Sequence, residues 1–322
     1  MQILSQLTEL GSYEPAVLTI GFFDGVHRGH QQVIRRVTEY AFHQGSQAVL
    51  VTFWPHPQRV LHPEQPKPLL TTLQEKLEVL AALGGLDTVV VMPFTAELAQ
   101  LTPQKYLEVL CTHFQLRVLI VGADFALGHH RIGDITWLQH AGKALGFTVE
   151  TLTIVEGTSR ISSTRIRELI AVGHIEEAAD LLGRPYTLVG TVIRGDSHHH
   201  ELGFPTANVL LDPVKLLPAN GVYAVRVQLP GDERASRPGV AYVGGRLNSR
   251  EEHPPRVEVH LLDVQVDLSD QRLVTEFVAR LREERHFHSL QALQAQMRVD
   301  ADQTRVLVAV PPPGTSSLQT SS

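Results

Sequence analysis

Val17-Leu18-Thr19-Ile20 is an uncharged, largely β-branched run that feeds straight into Gly21-Phe22-Phe23-Asp24-Gly25-Val26-His27-Arg28-Gly29-His30. No other junction restricts the fold of this chain as strongly. Apolar residues then recur at Val33, Ile34, Val37, Tyr40 and Ala41, which is helical spacing. The succession reads as buried strand, tight turn and amphipathic helix. Gly21, Gly25 and Gly29 let a bound group approach the backbone closely, and His27 and His30, three residues apart, face one way at the opening of the helix. A helix N-terminus preceded by glycines is a phosphate site. The expectation is that nucleotide phosphates bind at Gly21, Phe22, Asp24 and Gly29 and touch His27 and His30. Taken alone, the stretch is also compatible with a polar turn bearing two solvated histidines.

Strand-like and helix-like segments keep alternating through the first half. Strands are expected at Ala48 to Phe53, Asp87 to Met92, Val118 to Val121 and Phe147 to Ile154. Helices are expected at Thr71 to Leu83, with Thr72 and Glu75 forming a capping box, and at Pro103 to Phe114, Ile135 to Leu145, Arg165 to Val172 and Ile175 to Leu182. This alternation implies an α/β fold with a parallel sheet wrapped on both sides, whose ligands bind beyond the carboxyl ends of the strands. The loops rich in Gly, His and Asp after Ile20, Phe53 and Val121 fall at those ends. The character changes at Gly183-Arg184-Pro185. Thr187 to Ile193, Val222 to Gln228, Gly239 to Val243 and Val257 to Leu262 are short strand-like runs separated by Gly, Pro and Asn, the spacing of an antiparallel sheet or barrel. One helix is expected from about Ser289 to Met297, and the ending from Pro311 is poor in apolar residues and is expected to be disordered. At about 100 to 200 residues per domain, 322 residues make roughly two. The expected division is 1–182, 183–308 and a tail at 309–322.

A formal charge of −6 argues against nucleic acid as a partner, since that usually demands a basic excess. No apolar run approaches the ~20 residues needed to span a bilayer, so no membrane partner is expected. Met1 to Glu9 lacks a basic region followed by an apolar core, and Cys111 is the single cysteine, so the cytoplasm is the expected location. Oligomeric state is not legible.

A second helix start is Ile161-Ser162-Ser163-Thr164-Arg165-Ile166-Arg167. Ser162 to Thr164 offer cap hydroxyls, and Arg165 offers a fork of donors to a phosphate. Arginines at a helix start oppose the dipole unless an anion is near, which favours a phosphate site over an ordinary cap.

Together with Thr52-Phe53, Pro55-His56-Pro57, Gly122-Ala123-Asp124-Phe125, Gly128 and Arg131-Ile132-Gly133-Asp134, these stretches resemble the prokaryotic bifunctional riboflavin kinase/FAD synthetases. The resemblance continues through Gly183-Arg184-Pro185-Tyr186, Leu202 to Asn208, Gly221-Val222-Tyr223 and Glu258 to Asp263, nearly the whole chain. It implies a Rossmann-like nucleotidyltransferase domain that transfers AMP from ATP to FMN, releasing pyrophosphate, followed by a β-barrel kinase that phosphorylates riboflavin. It implies that His27, His30 and Arg165 stabilise ATP phosphates, that Asp124, Ser163 and Thr164 belong to the nucleotide site, that Thr206 and Asn208 bind Mg2+ and nucleotide phosphates, and that Glu258 is the general base. The ligands so implied are riboflavin, FMN, FAD and ATP. Read without the resemblance, Glu258 is a solvent-facing residue of an alternating strand, and Pro205 to Asn208 is a turn entering a strand.

Several positions depart from the family pattern. Trp54 stands for an acid, Ala126 for an arginine, Tyr242 for an asparagine, Leu247-Asn248 for Pro-Thr and Ser269-Asp270 for Tyr-Gly. The expected glycine-rich phosphate loop reads Gly195-Asp196-Ser197-His198-His199-His200-Glu201. Consecutive histidines do not readily converge on one ion, so a solvated or phosphate-facing loop is expected there in place of a metal site. Two other functions fit the chain: an FAD synthetase whose second half only binds flavin, and a non-catalytic flavin or nucleotide sensor.

Overall fold

The computed structural model describes residues 1–9, 14–153, 155–156, 159–193, 206–229, 231, 236–245, 256–264 and 266–309. It forms two compact units, Met1–Ser163 and Thr164–Ser322.

The first unit alternates strands and helices as its apolar periodicity requires: β1 (Gln2–Leu4), β2 (Pro15–Ile20), α1 (Arg28–Gln44), β3 (Gln47–Trp54), α2 (Pro57–Leu61), α3 (Leu73–Leu83), β4 (Thr88–Pro93), α4 (Ala96–Ala99), α5 (Pro103–His113), β5 (Gln115–Gly122), α6 (Ile135–Leu145) and β6 (Thr148–Leu152). A two-residue pair follows, β7 (Val155–Glu156) with β8 (Ser159–Arg160). The six main strands lie parallel in the order β1-β4-β3-β2-β5-β6. Strands buried on both faces must be apolar at every position. In β3, Val49, Val51 and Phe53 enter a core shared with Tyr106, Leu107 and Leu110 of α5 and Leu138 of α6. Ala48 and Leu50 enter a separate core with Val33, Ile34 and Val37 of α1 and Leu80 of α3. Helices therefore cover both faces. The strand order runs outward in both directions from β2 and β5, so the crevice between their carboxyl ends is the topological switch point where ligands bind.

The second unit holds most of α7 (Ser163–Val172), then α8 (Ile175–Leu182), β9 (Tyr186–Ile193), β10 (Ala207–Leu211), β11 (Gly221–Gln228), β12 (Ser236–Gly244), β13 (Arg256–Leu261), β14 (Arg272–Arg282) and α9 (Leu290–Ala309). The strands close into a barrel in the order β10-β13-β12-β11-β14-β9, which leaves no sheet edge to protect. Leu273, Thr275, Phe277 and Ala279 of β14 are buried at every second position, yet their apolar signal is diluted by threonine and alanine. Sequence periodicity consequently missed that strand. It also stopped α9 near Met297, whereas the helix runs to Ala309. The reason is polar anchoring: Asp300, buried, accepts from the Arg282 Nε and Nη2, the latter at 2.9 Å, and from the Gln296 amide at 2.9 Å. Residues of the expected tail after Ala309 lie outside the described residues.

Asp300→Ala should strand the Arg282 guanidinium and cost about 3–5 kcal/mol, read as a fall in the denaturation midpoint of the second unit.

Candidate active sites

The turn that joins β2 to α1 is strained. Phe23 has φ 50° and Val26 φ 40°, and a β-branched residue in the left-handed region is a genuine outlier. Such backbone persists only where its surroundings over-determine it. Here the surroundings are the segment entering α3. The buried Asp24 carboxylate accepts from the backbone N–H of Leu70 and of Thr71, each at 3.1 Å, and from the Thr71 hydroxyl. The Gly25 N–H donates to that hydroxyl at 3.1 Å, and the Gln31 amide donates to the Val26 carbonyl at 2.8 Å. Thr52 donates to the Phe22 carbonyl at 3.2 Å, and Ser163 donates to the Asp24 carbonyl at 2.9 Å.

The fixed turn delivers His27 to the N-cap of α1, where its Nδ1 accepts from the His30 N–H at 3.3 Å. The two imidazoles stack with centroids 3.7 Å apart and 15° between planes. A helix dipole and two rings therefore share one helix start, an arrangement suited to developing negative charge. Beside it the half-exposed Phe22 ring meets Phe53 at 5.5 Å, His56 at 5.3 Å and Phe94 at 6.4 Å, at the carboxyl ends of β3 and β4. Across the switch point, β5 ends at Gly122, and Asp124 follows, exposed, with its carbonyl accepting from Arg131 at 2.6 Å. Gly128 and Gly133 of that loop lie so close to α5 that a Cβ on either would fall within 2.7 Å of Pro103. Their lack of a side chain is what lets the loop pack down.

In the barrel, Asn208 of β10 pairs with Glu258 of β13, and Glu258 with Tyr242 of β12. Directly opposed residues on adjacent strands lie side by side. Val257, Val259 and Leu261 are buried, which leaves Glu258 and His260 on the other face of β13. The Tyr242 hydroxyl donates to the Glu284 carboxylate just beyond β14, and burial, followed by that bond, raises its pKa above the usual phenol range. Thr206 stands half-buried immediately before β10. Among the described residues no three His, Cys, Asp or Glu side chains converge as a metal site. Hydroxyl and amide oxygens with one carboxylate fit a hard, partly hydrated ion such as Mg2+ better than zinc.

The structure thus brings Gly21, Phe22, Asp24, His27, Gly29, His30 and Ser163 together, and Asp24 and Ser163 also hold the turn. Thr164 and Arg165 sit in the first turn of α7, in the second unit. Gly195 and the His198 to His200 run lie outside the described residues. Sequence reasoning missed Thr71 and Lys76 as supports of the turn. Lys76 was detectable in principle: it lies four residues before the buried Leu80, on the apolar stripe of α3.

A helix N-terminus bearing two imidazoles at the switch point of a parallel sheet, followed by a barrel presenting a carboxylate beside an asparagine, is consistent with the class of nucleotide-dependent transferases. The FAD synthetase family matches residues 11–165 and the riboflavin kinase family residues 182–308. A bifunctional riboflavin kinase/FMN adenylyltransferase of Pseudomonas fluorescens is 38% identical over 96% of this chain and 98% of its own length. Relatives of that description from Escherichia coli K12 (38% identical, 89% of this chain, 91% of theirs) and Bacillus subtilis (34%, 88% and 90%) match similarly. This chain belongs to the family of bifunctional riboflavin kinase/FMN adenylyltransferases. A solved structure described as a macrolide-efflux protein from Streptococcus pneumoniae shares the architecture, with a TM-score of 0.84 and 27% identity over 94% of this chain and 98% of that one. Among the described residues no helix is long and apolar enough to cross a membrane.

Asp24→Ala removes the carboxylate that accepts from the Leu70 and Thr71 N–H groups in a buried turn. A loss of about 1–3 kcal/mol in the unfolding free energy of the first unit is expected, measured by denaturant titration, together with reduced FAD formation.

Proposed function

We propose that this chain converts riboflavin to FMN and FMN to FAD, each with ATP, the adenylyl transfer in residues 1–182 and the phosphorylation in residues 183–308. The observation that carries the reading is the stacked His27–His30 pair capping α1 at the switch point of the sheet. In adenylyl transfer an FMN phosphate oxygen attacks the α-phosphorus of ATP; the new P–O bond forms as the bond to pyrophosphate breaks. The helix N-terminus and the two imidazoles offset charge gathering on the phosphates. Gly21 and Gly29 admit the phosphates to the backbone. Asp124, Ser163, Thr164 and Arg165 are assigned to the nucleotide site, and Phe22 offers its half-exposed ring to an aromatic ligand.

In phosphorylation, the terminal ribityl hydroxyl of riboflavin attacks the γ-phosphorus of ATP, and Glu258 takes the hydroxyl proton as ADP departs. Thr206 and Asn208 are the residues that would hold Mg2+, which when bound supplies charge neutralisation to the phosphates. Gly195 is assigned to the phosphate loop. The proposed location is the cytoplasm.

Two single variants separate the centres. His30→Ala should lower FAD formation from FMN and ATP by about 10²-fold or more and leave FMN formation from riboflavin intact. Glu258→Ala should lower FMN formation by about 10²- to 10⁴-fold and spare FAD formation. Product separation by chromatography reads both; equal loss of the two activities in either folded variant refutes the assignment. FAD formed from FMN, with no FMN formed from riboflavin by the unaltered protein, favours a flavin-binding second half.

A further inference from the structure

Lys76 is a charged group that the two reactions above leave unused. It is only 4% exposed, in the first turns of α3. Both circumstances oppose a cation: burial strips its hydration, and the start of a helix is the positive end of the dipole. Its Nζ donates to the Phe22 carbonyl at 3.1 Å and to the Thr52 hydroxyl at 3.0 Å. The ammonium therefore joins the carboxyl end of β3 to the residue immediately before the strained Phe23, on the turn that caps α1 with His27. Burial lowers its pKa to about 8, with the Asp24 carboxylate acting in the opposite direction.

We propose that Lys76 is a positioning residue for adenylyl transfer, its ammonium locking the Phe22 to His27 turn and placing positive potential beneath the site that receives two polyanionic substrates. The inference rests on FAD formation residing in the first unit. Lys76 touches the turn and acts through it. Together with Asp24 it grips both arms of the turn: the ammonium holds the Phe22 carbonyl, and the carboxylate holds the segment entering α3. Asp24 is the charged group that acts on it; His27 and His30 lie further along the same turn, the His56 ring beyond β3 is tilted against Phe22 at 5.3 Å, and Glu75 of its own helix accepts from the Thr72 N–H at 2.8 Å. From β3 it meets the Thr52 hydroxyl and, at 6.0 Å, the Trp54 ring, neither of which titrates in this range.

The consequence is an alkaline limb. As pH rises through about 8, the free enzyme loses the ammonium, so kcat/KM for FAD formation should fall. Bound phosphates favour the charged form, so the corresponding limb in kcat should lie higher. Stability moves the other way. A lysine whose folded pKa lies below its unfolded value of 10.5 costs the fold most while protonated in both states. From about pH 8 towards 10.5 the unfolded chain binds the extra proton, and that cost is relieved. Activity should therefore fall over a range in which the unfolding free energy of the wild type rises relative to a Lys76→Met variant. A lysine serving only to hold the fold does not give this divergence.

The test is FAD formation from FMN and ATP by the full chain between pH 6.5 and 9.5, for the wild type, Lys76→Met and Lys76→Arg, with denaturation midpoints measured in parallel. Lys76→Met should lose about ten- to hundredfold in kcat/KM near pH 7.5, as a misplaced site does. Its residual activity should lack the limb near pH 8. Lys76→Arg, always charged, should recover activity above Lys76→Met and also lack the limb. FMN formation from riboflavin should be unchanged in both. Wild-type protein that forms FAD with no alkaline limb, a limb near pH 8 that persists in either variant, or full FAD formation by Lys76→Met overturns the role of Lys76. Wild-type protein that forms no FAD removes the adenylyl-transfer reading and this inference with it.

Discussion

Asp24 and Lys76, two charges of opposite sign buried beneath one turn, hold the element on which the first unit's chemistry depends. Two non-glycine residues at positive φ cost about 1–3 kcal/mol each. Hydrogen bonds to charged groups contribute about 1.5–3 kcal/mol each, so those to the carboxylate are of the right size to offset that strain, while the buried ammonium fixes the turn's geometry at a cost to the fold. Without it the chain would leave β2 in an ordinary extended conformation, and His27 would not reach the N-cap of α1. The geometry of the imidazole pair is thus set by α3 and β3, neither of which carries a histidine of that pair.

The second unit reaches its geometry differently. Asn208, Glu258 and Tyr242 sit on three neighbouring strands of a closed barrel, and ladder register alone places them in one row. A slip of one residue in β13 would send Glu258 inward and Val257 or Val259 outward, so the same alternation that buries the core fixes the carboxylate. A site borne on strands needs no buried charge to brace it. A site borne on a turn does, and the first unit supplies two.

Residues close in sequence carried most of the legible information. The strand-turn-helix at Ile20 to His30, the Thr72–Glu75 capping box and the α/β to β change after Leu182 all arise from local periodicity or caps, and each stands in the structure. What escaped was long-range or blurred. Thr71 and Leu70 meet Asp24 across some forty-six residues, and nothing local to Asp24 announces them. β14 alternates faithfully, yet its inward positions include Thr275 and its outward ones Val274 and Val278, which erases the contrast that period-two reading needs. The extent of α9 depended on a buried Asp300, a residue that pattern reading assigns to the surface. Roles were least legible where a residue performs structural work inside a motif: nothing local to Asp24 or Ser163 shows that both also hold the turn.

The tyrosine at position 242 bears on how much chemistry the barrel row retains. An asparagine there would offer a donor and an acceptor beside Glu258; the phenol offers one proton, with the Glu284 carboxylate and the Gly245 carbonyl both within its reach. Burial and the Glu284 bond keep the phenol protonated above the usual range. Its ring folds back over Gly244, whose Cβ would collide with the hydroxyl, so the tyrosine and the glycine form one matched pair. The tyrosine therefore sets a phenol, and no amide, beside Glu258 in the row. Glu258 remains the carboxylate of that row, with Asn208 directly opposite it.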